Sequence, residues 1–199
     1  GQSGFLRQVS GLSPGQRVLV QVSGMAEPGK ALPVTMRLLF KSRLAIITPG
    51  APGRNISRRI RDEDTRADLD DLATEAMAGV DEALGLILRS ACENADPAEI
   101  IEDITAMRDL AQAVLADVDG APELLVEGAT AQETAWRDWS DPPPDEVADA
   151  PGSFEAHGVA EMVDALLTPH VPLSSGGHMM IEPTRALVAV DVNTGPDTS

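Results

Sequence analysis

An α+β fold is what this 199-residue chain predicts, on three observations. Residues 1 to 48 are short apolar runs punctuated by Gly and Pro, the pattern of a small β-barrel. Residues 96 to 118 carry apolar side chains at helical spacing behind a well-specified start. Residues 186 to 192 form a Val-rich strand interrupted by one carboxylate, Asp191.

The runs Gly4-Phe5-Leu6, Gln16 to Val22, Val34 to Phe40 and Arg43 to Thr48 read as the barrel strands, and Gly50-Ala51-Pro52-Gly53 as a loop after them. Asp62 begins an acidic helix with Leu69, Leu72, Ala73 and Ala76 on one face. Leu84 to Leu88 is a short buried strand, and Cys92 beside it reads as a small buried hydrophobe, since a single cysteine forms no internal disulfide. The helix that follows is capped by Asp96, carries Pro97 at its first position and Glu99 three residues after the cap. Ile100, Ile104, Met107, Ala111, Val114 and Val118 then make its core stripe.

Further on, Glu123 to Val126 reads as a strand and Gln132 to Trp139 as a helix, before Asp141-Pro142-Pro143-Pro144-Asp145 breaks the chain. Val159, Met162, Val163 and Leu166 mark an amphipathic helix closed by Pro169, ahead of a turn at Gly176-Gly177. Ala186 to Val192 has the look of a strand buried on both faces.

Charge is divided unevenly. The formal net charge is -17, which taken alone argues against a polyanionic partner. Residues 1 to 61, however, hold 10 of the 15 Lys and Arg and a single acid, Glu27, for +9, leaving -26 on residues 62 to 199. A basic first third fits contact with a polyanion. The acidic remainder fits a solvated surface or, at one point, a metal site. No stretch has the roughly 18 apolar residues of a membrane helix, and Gly1 to Arg17 lacks the apolar core of a signal peptide, so the expected location is the cytoplasm.

A carboxylate in an apolar strand is costly unless a metal or hydrogen bonds meet it. Side chains alternate along a strand, so Asp191 and Asn193 project to one face, and two oxygen donors there suit Mg²⁺, with Mn²⁺ as the alternative. The other reading of the same spacing is a strand ending in an Asp-x-Asn turn, with both side chains capping local backbone. His157, His170 and His178 are spaced unlike a zinc motif, and zinc is not supported within this chain.

The surrounding words favour the ligand reading. Residues 175 to 194, Ser-Gly-Gly-His-Met-Met-Ile-Glu-Pro-Thr-Arg-Ala-Leu-Val-Ala-Val-Asp-Val-Asn-Thr, resemble the segment entering the catalytic domain of the RNase E/G family of endoribonucleases. Ile46-Ile47-Thr48-Pro49 followed by Asn55-Ile56-Ser57-Arg58-Arg59-Ile60 resembles the family's passage from its OB-fold RNA-binding domain into the 5′-end sensor, and Gly85-Leu86-Ile87-Leu88-Arg89-Ser90-Ala91 resembles the sensor strand. The resemblance is weak only between about residues 119 and 174.

It implies four segments: 1–48 as a partial OB-fold barrel, 49–118 as a 5′-sensor-like α/β region, 119–174 as a degenerate RNase-H-like or linker region, and 175–199 as the first strands of an α/β metal-dependent nuclease domain. It implies that Phe5 stacks a base, that Lys30 contacts a phosphate, and that Arg58 and Arg59 touch RNA. The residue-level alternatives are a core phenylalanine, a solvated loop lysine, and arginines paired with Asp62 or Glu63. By the same resemblance Arg89 and Ser90, the latter in a slot usually filled by Thr, bind a 5′-monophosphate, while Ile46 packs against the terminal base. Arg89 could instead neutralise acids such as Glu93.

For catalysis, the resemblance makes Asp191 a Mg²⁺ ligand that activates water against a phosphodiester of single-stranded RNA, with Asn193 holding that carboxylate or a bound water. The family completes its site with a second aspartate on a later strand and a Cys-Pro-x-Cys word further on, neither of which is reached by Ser199, so the chain is expected to be part of a longer protein, itself compatible with a homo-oligomer. The alternative is a non-catalytic paralogue that binds RNA or a related enzyme.

Overall fold

The computed structural model describes residues 3–7, 11–139, 142–174 and 176–196. The chain divides into two units, Gly1–Pro143 and Pro144–Ser199.

The first unit opens with β1 (Gly4–Leu6), β2 (Gln21–Val22) and β3 (Leu32–Thr35), which form a sheet in the order β1-β3-β2, with β1 parallel and β2 antiparallel to β3. Among the described residues it is an open sheet rather than a closed barrel, and its strands are shorter than the apolar runs predict. The run from Val34 to Phe40 breaks for a local reason. Gln21 uses its side-chain amide as a strand would use its backbone, donating to Leu39 O at 2.9 Å and accepting from Leu39 N–H at 2.9 Å. Thr35 Oγ1 also accepts from Arg37 N–H at 3.0 Å, turning the chain. Residues 36–39 therefore form no strand, and Phe40 joins another sheet.

That second sheet is built from β4 (Phe40–Lys41), β5 (Ala45–Pro49), β6 (Arg54–Ile56) and β7 (Leu84–Leu88) in the order β4-β5-β7-β6. Between β6 and β7 runs α1 (Glu63–Ala76); after β7 come a 3₁₀ turn (Ser90–Asn94), α2 (Pro97–Ala116) and α3 (Ala131–Trp139). Asp62 caps α1 by accepting from Thr65 N–H at 2.8 Å, which holds its carboxyl below its ordinary pKa. Asp96 caps α2 with Pro97 at its first turn, as expected.

The antiparallel β5–β7 register, Ala45↔Leu88, Ile46↔Ile87, Ile47↔Leu86 and Pro49↔Leu84, sorts the sheet into two faces. Ala45, Ile47, Leu84, Leu86 and Leu88 bury against α1 and α2, whose Leu69, Ala73, Ala76, Ile100, Ile104 and Ala111 complete the core. Each fully buried Leu or Ile is worth roughly 1.5–3 kcal/mol, and all seven of the largest fully buried side chains, from Leu44 to Ile104, belong to this layer. The α2 stripe ends earlier than its spacing suggests, because Asp117 terminates the helix and leaves Val118 exposed. Cys92 is buried, donates to Leu44 O at 3.2 Å, and has its thiol pushed up to about 11 by burial.

The strand expected at Glu123–Val126 is absent. Those residues are loop, with Leu124 73% exposed, and no neighbouring strand offers them a ladder. The helix expected over Gln132–Trp139 is α3.

The second unit holds α4 (Ser153–Ala156), α5 (Val159–Leu166) and a three-stranded antiparallel sheet of β8 (His170–Pro172), β9 (His178–Pro183) and β10 (Val188–Asn193), ordered β10-β9-β8. The strand predicted to be buried on both faces is instead exposed. Among the described residues β10 pairs on one side only, and Val188, Val190 and Val192 are 61, 57 and 55% exposed. A β-branched run is buried only where a second layer covers it, and among the described residues none covers this one. Gly177 has a steric role: a Cβ there would strike the Asn193 carbonyl at the end of the β9–β10 pair.

Gly85 is subject to the same constraint in the first unit, since a Cβ would run into the Ala51 carbonyl and Thr48 Oγ1, the latter donating to Ala51 O at 3.0 Å. Gly85→Ala is expected to cost about 1–3 kcal/mol through overpacking. Guanidinium denaturation checks it: the midpoint should fall at unchanged m, and an unshifted midpoint would show that the loop yields freely.

Candidate nucleic-acid interface and site residues

The β4–β5–β7 register that buries one face of the sheet determines what the other face presents. Lys41 pairs with Ile46, and Ile46 with Ile87, so these three share one row on the face away from α1 and α2. Arg89 lies two residues beyond Ile87 and so continues on that side, its N–H donating to Leu44 O at 2.8 Å. An apolar pair, Ile46 and Ile87, both half-buried, is therefore flanked by two cations.

Arg89 is held by three contacts. Nη1 donates to Ser42 O at 2.6 Å and to Arg137 O at 2.9 Å, and Nη2 donates to Asp138 Oδ1 at 2.8 Å. A guanidinium has five N–H donors, so two, on Nε and Nη2, have no partner among the described residues. The acid partner is Asp138, at the end of α3, and not Glu93. Ser90, half-buried beside Arg89, makes no hydrogen bond through its hydroxyl within the described residues.

Asp138 gathers more than Arg89. Its Oδ1 also accepts from Lys41 Nζ at 2.6 Å, and its Oδ2 from Arg137 Nη2 at 3.0 Å. The Lys41 hydrogen bond, then those of Arg137 and Arg89, hold its carboxyl well below the usual carboxylate range against the opposing cost of burial. Lys41, Arg137 and Asp138 were not legible as site residues in the sequence, because the contacts join positions 41, 89 and 138 across long separations. The one available signal was that Lys41 is one of only two lysines.

Phe5 lies on β1, 57% exposed, so it is not a core phenylalanine. With Arg7, Pro33, Val34, Met36 and Arg37 it lines an open groove of about 650 Å³. Lys30 pairs with Glu27 at 2.5 Å on an exposed turn, an arrangement worth little. Arg58 and Arg59 are exposed in the loop after β6, and neither side chain has an ion-pair partner among the described residues. Asp62 is spent on its helix cap and not on these arginines. Arg66 fixes the loop by donating to Ser57 O at 3.2 Å and Ile60 O at 3.1 Å, while Ile60 is buried beneath it.

In the second unit, Asp191 is exposed on β10 opposite Met180, and Asn193 is opposite His178. Asn193 Oδ1 accepts from Gly195 N–H at 3.0 Å, closing a local turn. His170 and His178 stack with ring centroids 4.7 Å apart. The donor type at Asp191 suits Mg²⁺, but the donor number does not: no group of three or more His, Cys, Asp or Glu side chains converges as a metal site among the described residues. No chemical step through a metal follows from this chain alone.

The profile of the ribonuclease E/G family matches residues 40–150 and 145–199, and the chain belongs to that family. A ribonuclease E of Nostoc is 28% identical over 94% of this chain and 32% of its own length. Ribonuclease G of Escherichia coli is 28% identical over 91% of this chain and 43% of its own. A chloroplastic ribonuclease E/G-like protein of Arabidopsis thaliana is 45% identical over a shorter stretch, 21% of this chain. The chain thus spans less than half the length of these relatives. No helix among the described residues is long and apolar enough to cross a membrane.

Both tryptophans of the chain, Trp136 and Trp139, lie on α3. Because Asp138 is depressed in the folded state, its contribution to docking α3 is full above the ordinary aspartate pKa of about 3.9 and is lost only as pH falls through its much lower folded value. Tryptophan fluorescence is therefore expected to stay level from neutral pH to about 4 and to change below that. A transition centred near pH 6 would contradict the Asp138 anchor.

Proposed function

We propose that this chain is the RNA-binding and end-sensing part, with the opening strands of the nuclease part, of an endoribonuclease that hydrolyses single-stranded RNA in RNA processing or decay in the cytoplasm. The observation that carries the reading is the outer face of the four-stranded sheet, where Ile46 and Ile87 adjoin Arg89 and the unengaged hydroxyl of Ser90. An apolar surface for a terminal base next to a fork of N–H donors and a hydroxyl is suited to a 5′-phosphorylated end.

Residues 1–48 supply the RNA-binding segment and, through β4 and β5, two strands of the sensor sheet; residues 49–118 supply the rest of the sensor, residues 119–174 a degenerate linking region, and residues 175–199 the start of the nuclease domain. In the first of these, exposed Phe5 stacks a base in the groove it lines, and Lys30, together with Arg58 and Arg59 of the next segment, meets phosphates. Lys30 must exchange Glu27 for the phosphate, which an exposed pair does at little cost. The charge of +9 on residues 1 to 61 supports the polyanion contact.

In the whole protein Asp191 would supply one carboxylate to a Mg²⁺ site completed by residues outside this chain, and such an ion would lower the pKa of a bound water and offset charge on the phosphate. Asn193, through the turn it closes with Gly195, fixes the end of the strand that presents Asp191.

Two measurements test this. Replacing Lys30 and Arg58 with Gln should weaken binding of a fluorescent single-stranded RNA and flatten the log–log salt slope by about 0.7 for each phosphate no longer neutralised; an unchanged slope removes them from the interface. In the intact protein, Asp191→Asn should abolish cleavage of labelled RNA while leaving RNA binding and the thermal midpoint nearly unchanged. Equal cleavage by wild type and variant would exclude Asp191 from the chemistry, and an intact wild type that binds without cutting would identify a non-catalytic RNA-binding paralogue.

A further inference from the structure

Three cations converge on one carboxylate at the edge of the sensor-like sheet. Lys41 Nζ and Arg89 Nη2 share Asp138 Oδ1 at 2.6 and 2.8 Å, and Arg137 takes Oδ2 at 3.0 Å. Side-chain exposures of 34% for Lys41, 20% for Arg89, 24% for Arg137 and 21% for Asp138 place the cluster partly out of water but open to a ligand. Of the neighbouring carboxylates, Asp103 is committed to the Ser42 hydroxyl and to Leu44 N–H, and Glu99 to Arg43.

A lone ion pair would need none of this convergence. Three positive groups on a single negative one leave two charges in excess, and a terminal monophosphate carries about -1.5 to -2 at neutral pH. The backbone fixes two members: Lys41 by its pairing with Ile46, and Arg89 by the carbonyls of Ser42 and Arg137. What aims the Lys41 ammonium, which has a flexible stem and no other polar partner among the described residues, toward Arg89 is the shared oxygen of Asp138.

We propose that Asp138 is a positioning residue of the end-binding site: it holds Lys41 and Arg89 together as one phosphate-binding unit, with Lys41 as an additional direct contact to the phosphate. This rests on the end-sensing role proposed for Arg89. On binding, the phosphate takes the unspent Nε and Nη2 donors of Arg89 and two of the three Lys41 ammonium hydrogens, the third staying on Asp138. Asp138 itself touches no ligand. Its carboxylate keeps the two cations from separating, at the cost of one of their charges.

The test uses the 199-residue chain and two fluorescent single-stranded RNAs of one sequence, bearing a 5′-monophosphate or a 5′-hydroxyl, with Arg89→Gln, Lys41→Gln, Asp138→Asn and Asp138→Glu. Wild type is expected to prefer the monophosphate about tenfold, and Arg89→Gln to bring that ratio to about one. Lys41→Gln and Asp138→Asn should each reduce it to about threefold or less with affinity for the hydroxyl RNA unchanged, whereas loss of a purely structural anchor of α3 would weaken both RNAs alike, and Asp138→Glu, which keeps the carboxylate, should restore part of the preference. Should Asp138→Asn alter the tryptophan fluorescence, Lys41→Gln decides, because it leaves Asp138 bound to Arg89 and Arg137. No preference in wild type, or one insensitive to Arg89→Gln, overturns the sensor reading and this inference with it. A preference abolished in Arg89→Gln but kept in Lys41→Gln and Asp138→Asn overturns only this inference, as does a preference that rises in Asp138→Asn, the result expected if the carboxylate competes with the phosphate.

Discussion

The pairing of β5 with β7 is the constraint on which the first unit depends. Its register places Ala45, Ile47, Leu84, Leu86 and Leu88 on the side of α1 and α2 and leaves Ile46, Ile87 and then Arg89 on the other. A slip of one residue would exchange the two sets, burying an arginine and exposing the leucines. The large buried side chains and the end-binding candidates are therefore two consequences of one hydrogen-bond ladder. Gly85 is the narrowest point of that ladder, where the loop carrying Ala51 crosses close above the strand.

The same geometry explains why the acidic part of the chain can participate in binding an anion. Net charge is a property of the whole surface, whereas recognition depends on what lies within a few ångströms. Around Asp138 the count is three cations to one anion, although residues 62 to 199 together carry -26. Much of the acid nearby is used structurally: Asp62 and Asp96 cap helices, and Asp103 satisfies Ser42 and the Leu44 amide.

The second unit lacks such a layer. Gly177 is the one buried residue among those described there, and the valines of β10 stand in solvent. Its strands are ordered by backbone pairing and by tight turns at Gly177 and at Asn193–Gly195, not by a hydrophobic core. Asp191 is thus presented on an exposed strand, where a carboxylate is easily accommodated.

Local chemistry was legible in the sequence wherever its partners lie within a few residues. The caps at Asp62 and Asp96, the α2 stripe from Ile100 to Val114, the buried β7 and the turn at Gly176–Gly177 depend on spacings of two to four residues, and the structure contains each of them. The motif words that connect the chain to its family are likewise contiguous. What only tertiary structure decided is what depends on distant segments: the break after Thr35 enforced by Gln21, the missing strand at Glu123–Val126, the exposure of β10, and the meeting of Lys41, Arg89 and Asp138. Propensity and periodicity report what a segment can become. Whether a strand is covered, or a cation finds its carboxylate, depends on chain many residues away, and no local pattern encodes that.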